Sequence, residues 1–342
     1  MTPRELVVKT LNHESVPRVP RDLWGSPGGV SPSADELAEI NVRYPNDIVT
    51  PEATRRPHGK KTRGKHNGST DAWGCVWKID QAGVPTELEH SPLSSADKIA
   101  SYQPPAKLLD RSRFTKANKT CQSTNRFVLA WSEVCPFNRL RLLRGNEAAL
   151  ADLAQNARET RSLLAMLHDF ACKELERWAE TEVDGVVFRD DWGTPEGLLV
   201  TPETWRGVFR PLYLEYCKIL HAKDKFVFFR SDGDIQDIFG DLVKIGIDAI
   251  HSQLHLMNLA RLVKRYRGRV TFWGEIDRQQ FHGLSGPEEF RESVLSIRKA
   301  LDQGDGGVIA QCQWEPGVRI ETIVAFFEQW LVPLPARANI AP

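Results

Sequence analysis

Eight short apolar runs, most of them separated by longer stretches of helical periodicity, constrain this chain more than any other feature. They are "RVPRDLW" near 18–24, "NDIVT" near 46–50, "RFVLAW" near 126–131, "DGVVFRD" near 184–190, "KFVFFRS" near 225–231, "IDAIHSQ" near 247–253, "RVTFWGE" near 269–275 and "GGVIAQC" near 306–312. Runs of this length read as strands, and strands alternating with helical patterns signal βα units and a mainly parallel sheet. The intervening helices carry their own punctuation. In "DIQDIFGDLVKIG", Ile235, Ile238, Phe239, Leu242 and Val243 recur at helical spacing and Gly246 supplies the stop. "TPETWRGVFRPLYLEYCKIL" opens with Thr201 as cap and Pro202 at the first helical position, and Pro211 predicts a break inside it. Residues 146–181 predict two helices or one bent one.

This pattern predicts α/β architecture and a (β/α)8 TIM barrel. The alternative, a doubly wound open sheet, lacks a GxGxxG turn after its first strand. We expect a single barrel domain over residues 1–335, an insertion at about 51–125, and a short tail at 336–342. The insertion is expected because the gap of about 75 residues between the second and third strands exceeds one crossover. It carries the hairpin-like "DAWGCVWKI" and the basic loop "RRPHGKKTRGKH".

Composition narrows the function. A hydrophobic fraction of 41% over 342 residues supports a sizeable core, and 45 basic residues balance 45 acidic ones. Neutral charge argues against nucleic acid or a membrane surface as partner, since both call for a basic excess. No run approaches the roughly 18 apolar residues of a membrane span. "MTPRELVVKTLNHE" is amphipathic rather than signal-like, so a cytoplasmic location is expected. Six scattered cysteines make neither a disulfide framework nor a CxxC zinc site, and most read as small packing residues.

In a (β/α)8 barrel the chemistry sits at the C-terminal ends of the strands. Read only there, the sequence gives Arg21, Asp22 and Trp24 after strand one and Arg189, Asp190, Asp191 and Trp192 after strand four. Strand five gives Arg230, Ser231 and Asp232, strand six His251 and Gln253, strand seven Glu275 and Asp277, and strand eight Cys312, Gln313, Trp314 and Glu315. Ionisable groups gathered at one mouth would have shifted pKa values. Asp190, Asp191, Arg230, Asp232 and Glu275 are the expected catalytic set. Trp24, Arg21, Trp192, His251, Gln253, Asp277 and Trp314 are expected to bind substrate. Plainer roles compete: Asp232 or Asp234 as helix caps, Arg230 as an ion-pair partner of Asp190 or Asp191, His251 in the core, and Cys312 as packing. The tryptophans Trp24, Trp73, Trp77, Trp192, Trp273 and Trp314, near strand ends or loops, would suit aromatic pocket walls.

Several ordered stretches resemble one family. "NHESVPRVPRDLWG", "DAWGCVWKI", "DDWGTPEGLLVTPETWRGVFRPLY", "RSDGDIQDIFGDLVKIGIDAIHSQ", "RVTFWGEID" and "GDGGVIAQCQWEPG" resemble the uroporphyrinogen decarboxylase superfamily, and within it the corrinoid-linked methyltransferase and demethylase branch. The resemblance covers nearly the whole chain and implies a barrel with its pocket at the strand C-termini. It implies transfer of a methyl group between a small methylated compound, such as a methoxylated aromatic, and a corrinoid (cobalamin) carried by a partner protein. Relatives often form homodimers. True decarboxylases of this family carry an arginine-rich N-terminal motif, and here "RVPRDLWGSPGGVSP" lacks its later arginine. Decarboxylation of another small carboxylated substrate, with Arg230 and Arg21 as clamps, is the alternative, and a non-catalytic ligand-binding relative is a third. Zinc ligands in the methyltransferase branch typically include a His-x-Cys pair after strand five and a cysteine after strand eight. Here Arg230 and Asp232 replace the pair and only Cys312 matches, so the resemblance does not carry zinc over intact.

Overall fold

The computed structural model describes residues 1–25, 33–51, 60–61, 68–80, 85–133, 135–274, 287–315 and 317–332. Eight strands stand where the apolar runs place them: β1 Arg21–Gly25, β2 Ile48–Val49, β3 Phe127–Trp131, β4 Gly185–Arg189, β5 Phe226–Arg230, β6 Ala249–His251, β7 Thr271–Trp273 and β8 Val308–Trp314. The helices are α1 Pro3–Leu11, α2 Ala34–Arg43, α3 Arg111–Ser123, α4 Pro136–Arg144, α5 Asn146–Ala154, α6 Arg158–Ala179, α7 Arg210–His221, α8 Gln236–Ile245, α9 Leu259–Tyr266, α10 Pro287–Leu301 and α11 Ile320–Leu331. No helix among the described residues is long and apolar enough to cross a membrane. The chain divides into two compact units, residues 48–257 and residues 1–47 with 258–342.

The larger unit holds five parallel strands in the order β6-β5-β4-β3-β2. β3, β4 and β5 are buried over nearly their whole length, which is why they read as continuous apolar runs rather than alternating ones. Two helices, α5 and α6, fill residues 146–179, as the periodicity predicts. Thr201 accepts a hydrogen bond from the Thr204 amide, and Gly246 ends α8 in the left-handed conformation. Pro211 breaks its helix upstream of itself. Residues 205–209 widen into a π turn in which the Arg210 amide donates to the Trp205 carbonyl. Proline has no amide to continue the ordinary ladder, and α7 restarts with Pro211 in its first turn.

The insertion contains a four-stranded antiparallel sheet of residues 60–61, 68–70, 76–79 and 85–90. Its "DAWGC" turn is built by Asp71, whose Oδ1 accepts from the amides of Trp73 and Cys75 while Oδ2 accepts from Trp77 Nε1. The basic loop lies largely outside the described residues.

The smaller unit pairs β1 with β8 and β8 with β7, all parallel. Asp47, almost fully buried, receives both terminal nitrogens of Arg18 at 2.6 and 2.7 Å and the Arg21 amide at 2.8 Å, fixing the start of β1. "GDGG" lets the chain enter β8 against α1. The Gly307 amide donates to the Thr10 carbonyl, and a Cβ on Gly306 would stand 2.7 Å from the Glu14 carbonyl oxygen.

Candidate active site

The loops after β4 and β5 are laced together by main chain. The Asp190 amide donates to the Arg230 carbonyl, Trp192 to Ser231 Oγ, Gly193 to the Asp232 carbonyl and Asp234 to the Thr194 carbonyl. At the crossing, a Cβ on Gly233 would lie 2.1 Å from the Gly193 carbonyl carbon, and φ there is +81°. Two glycines are therefore required, one in each of "DDWG" and "RSDG". The apolar run "FVFF" ends in polar residues because the chain leaves the core here and locks onto its neighbour.

That lock aims three charged side chains. Arg230, buried, lies 3.2 and 3.3 Å from the two carboxylate oxygens of Asp232 and 3.7 Å from Asp191 Oδ1. Asp191 Oδ1 also accepts from the Asp232 amide at 3.1 Å, and Oδ2 from Asn138 Nδ2 at 3.2 Å. Arg189 Nε lies 4.0 Å from Asp191 Oδ2 on the other side, so two guanidiniums face two carboxylates and the formal charges balance. Asp191 and Asp232 keep part of their side chains in solvent (26% and 32%), so the group can be reached from outside. Gln253 closes one side, with Oε1 accepting from the Gly233 amide at 2.7 Å. His251 is buried in β6 beside Arg230, and its carbonyl takes the Ser231 amide.

Two expected site residues stand behind this surface. Asp190 is fully buried; its oxygens accept from the amides of Phe137 and Asn138 at 3.0 and 2.6 Å and from the Tyr213 hydroxyl. Burial pushes its carboxyl up to about 7, partly offset by the Tyr213 hydroxyl and those amides. Trp192 is fully buried, stacked on Phe137 at 4.1 Å and edge-on to Phe209 at 4.6 Å. Both position the loop; neither offers a surface to a ligand. Asp234 takes the plainer role of a cap, accepting from the Gln236 amide at 2.8 Å.

The smaller unit has its own centre. Asp22 on β1 is 4% exposed, and its Oδ2 accepts from Trp24 Nε1 at 2.8 Å and Trp273 Nε1 at 2.9 Å. Burial pushes this carboxyl up to about 7, with the two indole donors pulling the other way. Trp24 stays half-buried and meets Trp273 edge-on at 5.1 Å. Arg21 lies against the Tyr44 ring, 5.9 Å from its centroid, and burial lowers its pKa. Trp314 is buried with its Nε1 donating to the Val318 carbonyl. Of the six tryptophans expected as walls, Trp73, Trp192, Trp273 and Trp314 are core residues, and Trp24 and Trp77 retain exposure. Glu275 and Asp277 lie outside the described residues.

Strand-end reading leaves out one carboxylate that obeys the same rule. Glu133, two residues beyond β3, accepts from Trp73 Nε1 at 3.2 Å, Arg139 at 3.3 Å and Arg113 at 3.2 Å. Its amide donates to the fully buried Glu174, whose pKa burial raises. Asp22 stood among the strand-one residues without a role, and its burial between two indoles is what singles it out.

A zinc ion does not fit the strand-five centre. The position of the His-x-Cys pair is occupied by Arg230-Ser231-Asp232; a guanidinium offers no lone pair to a metal, and its charge opposes a cation beside it. Cys312 is buried in β8, and among the described residues no cluster of three His, Cys, Asp or Glu donors includes it.

The family profile of uroporphyrinogen decarboxylase (URO-D) matches residues 69–330. The chain belongs to the URO-D family. Its fold class is the one read from the sequence, α/β and a URO-D-like (β/α)8 barrel. Comparison with curated protein sequences gives no match. Among solved structures, the chain is similar to a methyltransferase from Methanosarcina mazei at 13% identity, covering 96% of this chain and 98% of that one with a TM-score of 0.67. Identity at that level speaks for the fold alone. A glycosylated endo-beta-1,4-xylanase from Gloeophyllum trabeum is similar at 9% identity, covering 95% of this chain and 99% of that one, with a TM-score of 0.46.

Proposed function

We propose that this URO-D family member is a methyltransferase that takes a methyl group from a small methylated compound, with methoxylated aromatics the first class to try, and passes it to a corrinoid carried by a partner protein. The observation that supports methyl transfer over decarboxylation is that Arg230 is already held between Asp191 and Asp232, so its charge is engaged by the chain's own carboxylates rather than kept for clamping a carboxylate substrate.

A corrinoid, when bound, would supply the cobalt as methyl acceptor. The chain's residues deal with what is left behind. As the heteroatom–methyl bond breaks, the heteroatom keeps the bonding electron pair and needs a proton. Solvent, which reaches the partly exposed Asp191 and Asp232, can supply it, while Arg230 between them steadies the developing charge. Asp191, Arg230 and Asp232 form a fixed polar surface for the substrate's hydrogen-bonding groups, and Gln253 and Gly233 hold the loop that carries them. Asp190, Tyr213 and Trp192 keep that loop in place.

The experiment is turnover of Arg230→Ala and Asp232→Asn beside Asp234→Asn. The first two should lose at least tenfold in kcat/KM, whereas removing only the carboxylate of a helix cap should leave activity within about twofold. Full activity in Arg230→Ala would remove this centre from the mechanism.

A further inference from the structure

A second cluster of ligating side chains lies on the outer helices. His168 and Cys172, four residues apart on α6, share one face, and Glu215 reaches them from α7. One Glu215 carboxylate oxygen stands 3.2 Å from His168 Nε2, the other 3.9 Å from Cys172 Sγ, and Sγ lies 3.9 Å from Nε2. A tetrahedral zinc ion with ordinary bond lengths sets its ligands about 3.4 Å apart for N and O and about 3.6 Å apart for pairs with sulfur. One ligand atom from each residue already lies within 4.8 Å of the others, so rotation of the Glu215 carboxylate and a shift of up to about 1 Å close the three on one ion.

We propose that His168, Cys172 and Glu215 form a zinc site that ties α6 to α7, separate from the strand-end chemistry. Three details support it. The Tyr216 hydroxyl lies 3.1 Å from His168 Nδ1, which orients the ring and leaves Nε2 for the metal, as second partners of ligating histidines do. Glu176, four residues on from Cys172 along the same helix, adds negative charge near the cluster, whereas Asp169 is held by Lys173 at 2.6 Å. Soft sulfur, imidazole and one carboxylate together form a zinc-type donor set, and with three protein ligands a fourth position stays open to water or another ligand. Cys172 read from the sequence as a packing residue, but it is only half-buried beside these partners.

The test uses the full chain stripped with a chelator and titrated with Zn2+ alone against a chromophoric competitor, with Co2+ as a spectroscopic substitute. One equivalent should bind, and the Co2+ form should show a thiolate charge-transfer band and the intense visible bands of a tetrahedral ion. Cys172→Ser should abolish the charge-transfer band and weaken Zn2+ at least 100-fold, and Tyr216→Phe should weaken it about tenfold. Circular dichroism of the stripped variants checks that both still fold. Absence of stoichiometric binding, or binding unchanged in Cys172→Ser and His168→Ala, would overturn the site. So would a single equivalent lost only in Cys312→Ala, which would place the metal on β8.

Discussion

Replacing Asp22 by asparagine should make the protein more stable at alkaline pH, and by an amount the structure allows one to estimate. The Asp22 carboxyl moves from an ordinary 3.8 to about 7 on folding, because burial penalises its charge. Below about pH 4 it is protonated folded and unfolded, and contributes no pH dependence. Between 3.8 and about 7 the unfolded chain has released the proton while the folded chain still holds it, so stability falls as pH rises. Above about 7 both forms are ionised and the full penalty is present, about 3 pH units at 1.4 kcal/mol each, or about 4 kcal/mol. Asparagine cannot ionise. Both indole bonds end on Oδ2, so a single amide oxygen can accept both, and the amide nitrogen takes the place of Oδ1. Urea unfolding of both proteins at pH 5, 6, 7 and 8 reads the difference. The variant should gain progressively on wild type up to about pH 8, by a few kcal/mol. Asp190 adds its own slope to both proteins and cancels. Parallel stability curves for wild type and variant would refute the buried, proton-holding carboxyl.

Other consequences follow from the same packing. Gly233→Ala adds a left-handed penalty and a Cβ that collides with the Gly193 backbone, and should lower stability by about 3 kcal/mol or more; an unchanged Tm would mean the two loops do not cross as described. Tyr213→Phe removes a hydroxyl that favours the ionised form of Asp190, so it should cost about 1–3 kcal/mol and cost more at pH 8 than at pH 5, read by melting curves at both.

β3, β4 and β5 are the most legible strands, because buried parallel strands are apolar over nearly their whole length and their C-terminal ends are where that apolarity stops. The Asp191–Arg230–Asp232 group is legible for the same reason: Arg230 is the last residue of β5, and Asp191 and Asp232 each stand two residues past the end of a strand. The division of labour within it is not. Asp190 and Asp191 are adjacent in sequence and alike in chemistry, yet one faces the amides of α4 and the Tyr213 hydroxyl while the other faces Arg230. A single-residue turn of backbone decides which, and no spacing rule reports it. Tryptophans mislead in a similar way. Trp192 and Trp314 follow strands as pocket walls would, but Trp192 fills the space behind the loop and Trp314 satisfies its indole on the next turn, at Val318. Glu133 follows β3 without a second charged neighbour to mark it, and the burial of Asp22 is not legible because its two indole partners are 2 and 251 residues away.

The most direct test of methyl transfer is to incubate the purified chain with cob(I)alamin and a panel of methoxylated aromatics and small methylated compounds, following methylcobalamin by its absorbance and the demethylated product by mass. Methylcobalamin and demethylated product should form in equal amounts from at least one methoxylated compound, and both should be lost in Arg230→Ala. Carbon dioxide released from a carboxylated substrate with no corrinoid present, and no methylcobalamin from any compound, would contradict it.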